Sequence, residues 1–153
     1  MTNRTQITKT IETETGHRLY KYSGKCSHIH GHRLQWHVTV SSPELDKTGF
    51  VMDYKDLKSI LKIIINPFDH AFVMGDQDPL YLKFGDEVFD LLKATNGDSP
   101  RLFVVDFNPT SENILNYVSK LIIEALDSAN RDFKLEKITL WETSSSYCEK
   151  IFS

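Results

Sequence analysis

Two cysteines, Cys26 and Cys148, are too few to staple a fold of 153 residues. In a chain whose opening MTNRTQITKT lacks the apolar centre of an export signal, both are expected as free thiols. Cys148 reads as a small half-buried side chain on a strand. Long hydrophobic runs are also missing: none approaches the roughly 18–20 residues of a membrane span, which excludes a membrane partner. The chain has no excess of positive charge. A net charge of −3 excludes nucleic acid as its main partner, because phosphate backbones demand a basic face. Repeats and low-complexity tracts are absent, and 40% hydrophobic with 25% charged residues is ordinary. The expectation is one cytoplasmic domain over residues 1–153, large enough to bury its own core.

Periodicity supplies the elements. Residues 6–17 alternate β-branched and polar side chains and read as a strand ending at His17. In 33–41, Leu34, Trp36, Val38 and Val40 share one face, while Arg33, Gln35, His37 and Thr39 share the other. Asp53 caps an expected helix with the stripe Leu57, Ile60, Leu61 and Ile64, ended by Pro67. Residues 71–85 read as a loop, 86–95 as a short helix, 96–100 as a turn and 102–105 as a buried strand. A second main helix starts at Asn108–Glu112 and runs to about Asp127. Strands 136–143 and 147–152 follow. Hairpin-type connections favour α+β with an antiparallel sheet over a doubly wound fold.

Three of the six histidines and one cysteine crowd into Cys26-Ser27-His28-Ile29-His30-Gly31-His32. His30 and His32 leave the same strand face, as neutral nitrogens converging on zinc require. Gly31 between them adds no side chain to crowd a metal. His37 points away from that face. A third ligand comes from His17, His28 or His70. Three consecutive alternate residues seldom surround one ion on a straight strand, whereas His17 ends the neighbouring strand and gives the set His17, His30 and His32. Cys26 as a fourth ligand closes a structural site; as a free thiol beside an open position it belongs to a catalytic one. Spacing alone leaves the two even.

Two further features favour chemistry. Asp69-His70 follows Pro67-Phe68 at a helix-ending turn, where a histidine with an adjacent carboxylate is a proton shuttle and activates a nearby thiol. Glu142 shares a face with Ile138 and Leu140. A carboxylate there either reaches water at the strand end or has a partner, because burying it alone is costly.

Taken in order, His17-Arg18-Leu19, Cys26-x₃-His30-Gly31-His32, Gly49-Phe50-Val51-Met52-Asp53, Asp69-His70, Asn108-Pro109-Thr110-Ser111-Glu112-Asn113 and Trp141-Glu142-Thr143 resemble the 6-pyruvoyl-tetrahydropterin synthase / 6-carboxytetrahydropterin synthase family. The resemblance spans nearly the whole chain. It implies the tunnelling (T) fold: a four-stranded antiparallel sheet with two main helices on one face. It further implies subunits assembling as a homohexamer of two trimers with active sites at interfaces. By the same resemblance His17, His30 and His32 hold Zn²⁺, Cys26 is the general base, and Asp69 and His70 tune it from a neighbouring subunit. Glu142 anchors the pterin, and Thr110, Ser111 and Glu112 line its pocket. The implied substrate is a pterin triphosphate, 7,8-dihydroneopterin triphosphate. Arg18, Lys21, Lys25 and Arg33 lie near the site in sequence and are candidates for its triphosphate.

The chain departs from the family in two places. Members usually approach the first ligand through Phe-x-Ala-x-His, and this chain has Thr13-Glu14-Thr15-Gly16-His17. The segment between Asp69-His70 and Asn108 is also long, which fits the extra helix at 86–95. The C-x₃-H-G-H spacing resembles the bacterial queuosine-pathway lyase that releases triphosphate and acetaldehyde. The animal enzyme of tetrahydrobiopterin synthesis, which stops at the pyruvoyl product, has a longer loop there. A zinc- and pterin-binding T-fold protein without turnover is the remaining alternative.

Overall fold

Alternating side chains over Thr5–His17 and His30–Ser42 produce the two longest strands, β1 and β2. They pair antiparallel without a break from Thr5 opposite Ser42 to His17 opposite His30. The structure is a computed structural model that describes residues 3–85, 87 and 101–153. β3 (Ala71–Gly75), β4 (Arg101–Val105), β5 (Lys134–Thr143) and β6 (Ser146–Ile151) complete a sheet in the order β4-β3-β1-β2-β5-β6.

The fold is α+β, but the sheet has six strands rather than four. It is also not wholly antiparallel: β3 runs parallel to both β1 and β4. The expected loop at 71–85 is in fact β3 followed by the short helix α2 (Pro79–Phe84). Ala71, Val73 and Met74 are buried with no polar residue alternating between them, so no period-2 signal marks this strand. The helix expected at 86–95 lies, apart from Glu87, outside the described residues, as does the turn at 96–100.

Two helices cover one face. Helix α1 (Tyr54–Ile65) starts where the Asp53 carboxylate accepts the Lys55 N–H at 2.7 Å. Helix α3 (Ser111–Asp127) starts where Thr110 Oγ1 accepts the Asn113 N–H at 3.2 Å. Leu57, Leu61 and Ile65 of α1 and Ile114, Val118 and Ile122 of α3 meet Trp36, Val38, Ile138 and Leu140 in one core. The opposite face is charged, with Glu14 paired to Arg33 and Glu12 to Gln35. Among the described residues no helix is long and apolar enough to cross a membrane.

Candidate metal centre and pocket

The β1–β2 register sets His17 opposite His30 and Thr15 opposite His32, so all three imidazoles rise from the helix-covered face. One ligand atom from each lies within 4.8 Å of the others. Ring centroids are 4.6 to 5.1 Å apart. Three polar side chains stacked this closely would normally hydrogen-bond. Instead the Nε2 atoms of His17, His30 and His32 are all buried without a hydrogen-bond partner.

Their other nitrogens show why. His17 Nδ1 donates to the Pro109 carbonyl at 2.8 Å, and His30 Nδ1 donates to the His28 carbonyl at 2.7 Å. A carbonyl only accepts, so each Nδ1 carries the proton and each Nε2 presents a lone pair. Fixing the tautomer from the far nitrogen is the usual support for a metal-ligating histidine. Burial is the main cause holding His17 below its ordinary pKa. For His32, burial outweighs the Glu142 carboxylate, which pulls the other way. Both rings are therefore neutral at neutral pH, the form that binds metal. The three residues fit a divalent cation.

Glu142 stands beside them, with Oε1 3.4 Å from His32 Nε2. It lines a recess too narrow to admit a water, together with Thr15, Ser111, Ile114 and Leu140. The carboxylate thus has His32 as a neighbour, and it also borders an open hollow with His37, Trp141 and Thr143. Ser111 reaches this recess. Thr110 does not line it, its hydroxyl being taken up by the α3 cap. Glu112 is exposed, 3.3 Å from the Ser111 hydroxyl that donates to it. Cys148 lies opposite Leu140 on β6, half-buried and free, and burial pushes its thiol up.

Cys26 sits in the single 3₁₀ turn Lys25–Ser27 between β1 and β2, half-buried and free. Its carbonyl accepts the Leu19 N–H at 2.8 Å, which folds the turn back on the exit from His17. It is not one of the residues clustered with the three imidazoles. His28 is exposed and likewise outside the cluster. Gly31 faces away from the histidines; a Cβ there would stand 3.1 Å from the Thr15 carbonyl. It is needed for strand approach and not, as expected, for room around a metal.

Asp69 and His70 emerge on the opposite side. The His70 ring is 74% exposed, with Nδ1 3.1 Å from Asp69 Oδ1, in an open hollow that Glu14, Arg33, Phe72 and also His32 line. Burial alone would raise the Asp69 carboxyl; the Glu14 amide and His70 outweigh it and hold the group below the usual carboxylate range. Among the described residues no hydrogen bond or ion pair joins this pair to Cys26 or to the three imidazoles of the same chain.

Residue types and order match a known family. A family model described as 6-pyruvoyl tetrahydropterin synthase covers residues 6–150. The chain belongs to this family. Among curated relatives, the 6-carboxy-5,6,7,8-tetrahydropterin synthase of Aquifex aeolicus is 30% identical, covering 94% of this chain and 96% of its own. The synthase of the same name from Haemophilus influenzae is 31% identical, with the same coverages. Two solved structures share the fold. An uncharacterised protein of Wolinella succinogenes superimposes with a TM-score of 0.79 at 23% identity, covering 99% of each chain. The 6-pyruvoyl tetrahydropterin synthase of Caenorhabditis elegans does so with a TM-score of 0.64 at 22% identity, over 99% of this chain and 97% of that one.

Within this pterin synthase fold, several supports were not expected from the sequence. The Pro109 and His28 carbonyls that orient the imidazoles are main-chain groups and carry no residue signature. Asn108 exchanges two hydrogen bonds with the Tyr20 main chain, at 3.1 and 2.9 Å, tying the chain after His17 to the start of α3. Arg18 is ion-paired, its Nε 3.0 Å from Oδ2 of the fully buried Asp78 without hydrogen-bond geometry. Arg33 is likewise engaged, by Glu14. Lys21 and Lys25 are exposed.

Proposed function

We propose that this member is a zinc-dependent 6-carboxy-5,6,7,8-tetrahydropterin synthase that acts on 7,8-dihydroneopterin triphosphate. It consumes water and releases triphosphate and acetaldehyde, as a cytoplasmic step toward the 7-deazaguanine of queuosine. The observation that carries the reading is the three clustered imidazoles whose buried Nε2 atoms lack a hydrogen-bond partner, with the Glu142 carboxylate beside them. The names of the relatives at 30 and 31% identity support the product.

His17, His30 and His32 would hold the metal, which when bound supplies a Lewis acid for the hydroxyls of the substrate's three-carbon chain. Glu142 holds the pterin, its two oxygens accepting the paired N–H donors of the aminopyrimidine edge. Ser111 stands beside it, with Thr110 and Glu112 at the helix start. Cys26 takes a proton from the side chain of the substrate, and the Asp69–His70 pair shuttles protons to and from that thiol. The exposed His70 ring makes no hydrogen bond or ion pair to the imidazoles of its own chain among the described residues, which supports its delivery to a neighbouring subunit of a homohexamer.

The test is to incubate the purified zinc-loaded protein with 7,8-dihydroneopterin triphosphate and identify the products. The expected result is equal amounts of carboxypterin, acetaldehyde and triphosphate, lost on chelation and restored by zinc. A pyruvoylpterin product would move the chain to tetrahydrobiopterin chemistry. No turnover from metal-loaded protein would leave a binding protein instead.

Glu142 is tested separately. A hydrogen bond to a charged group is worth about 1.5–3 kcal/mol, so Glu142→Ala, which removes two, should weaken binding of unreactive neopterin by at least roughly ten- to a hundredfold. Calorimetric titration at unchanged zinc content reads this out. Equal affinity in the variant would reduce Glu142 to a neighbour of His32.

A further inference from the structure

Thr13 and Thr15 are buried polar side chains on β1, beneath the first ligand. The Trp36 indole N–H donates to Thr13 Oγ1 at 3.1 Å. The Thr13 and Thr15 hydroxyls are 2.9 Å apart, and Thr15 donates to the Phe68 carbonyl at 2.8 Å. The direction of this chain is forced. An indole only donates and a carbonyl only accepts, so the Thr15 hydrogen is committed to Phe68 and Thr13 must donate to Thr15. Every member is satisfied, as a buried network must be to hold a single arrangement.

The relay ends one residue before Asp69. Glu14, between the two threonines, grips the same turn through its main chain. Its N–H donates to Asp69 Oδ1 at 3.0 Å, and its carbonyl accepts the His70 N–H at 2.7 Å. His70 has φ of 50°, a left-handed conformation that a non-glycine residue keeps only when its surroundings impose it. Three consecutive β1 residues supply those surroundings. The Phe-x-Ala pattern usual in the family carries no hydroxyl at either threonine position, so this chain secures the turn by hydrogen bonding.

We infer that Thr13 and Thr15 are positioning residues: their hydroxyl relay fixes the Phe68 carbonyl and thereby the orientation of the Asp69–His70 pair. The inference rests on the proposed role of that pair as proton shuttle. Thr15→Val keeps the side-chain shape and removes the hydroxyl; Thr15→Ser keeps the donor.

In the zinc-loaded full chain, Thr15→Val should retain its zinc, while kcat falls roughly ten- to a hundredfold, as slight misplacement of a reacting group does. The His70 imidazole resonance should move, and Thr15→Ser should restore it together with kcat. A folded Thr15→Val protein with wild-type kcat and His70 resonance would overturn the inference, leaving the relay a core-satisfying network. Should Thr15→Val not fold, Thr13→Val spares the bond to Phe68. It should displace the His70 resonance less but in the same direction, and no displacement would overturn the inference. If the wild-type chain does not turn over the pterin, the activity reading alone falls, because the resonance still decides the relay.

Discussion

His30→Ala is expected to strip the metal from the protein. Its Nε2 is one of the three clustered imidazole nitrogens that are buried without a hydrogen-bond partner. Losing a mere outer-shell partner costs metal affinity about 10- to 100-fold, and losing a ligand should exceed that. The variant should emerge from dialysis with little zinc and, on the proposed function, no measurable turnover. His28→Ala provides the contrast. His28 is exposed, and its support of His30 comes from its main-chain carbonyl, which alanine keeps. Metal analysis by atomic emission, with circular dichroism for the fold, separates the two. A fully loaded His30→Ala protein would remove the histidine cluster from consideration as a metal centre.

Cys26→Ala should do the reverse: keep about one zinc per chain and lose turnover. Cys26 stands apart from the clustered imidazoles, which argues against a closed four-ligand site. As the group that moves a proton, its removal should cost roughly 10²–10⁴ in kcat, the usual range for a general base. Alkylation of the wild-type thiol should silence the enzyme while leaving zinc in place. Loss of zinc from Cys26→Ala would instead make the cysteine a ligand and the centre structural.

The site was readable where it depends on strand alternation. His17, His30 and His32 could be set on one face because β1 and β2 alternate cleanly, and Glu142 stood out as an acid in an apolar row. Helices α1 and α3 were equally plain from their stripes and caps. Strand β3 was not, because Ala71–Gly75 is a short buried run whose partners, β1 and β4, are distant in sequence. The four-stranded expectation failed with it. The Thr13–Thr15 relay looked like a departure from the family pattern, since its meaning depends on a carbonyl more than fifty residues away. The pairing of Arg18 with Asp78 left no sign in the sequence, because the two lie sixty residues apart.

The unbroken ladder from Thr5–Ser42 to His17–His30 gives the ligand set a second meaning. A slip of one residue along β2 would turn His30 and His32 to the charged face and bring Gly31 and Arg33 inward. Such a slip loses both β2 nitrogens at once, so on the proposed metal role a cation that captures the three imidazoles selects the observed register against it.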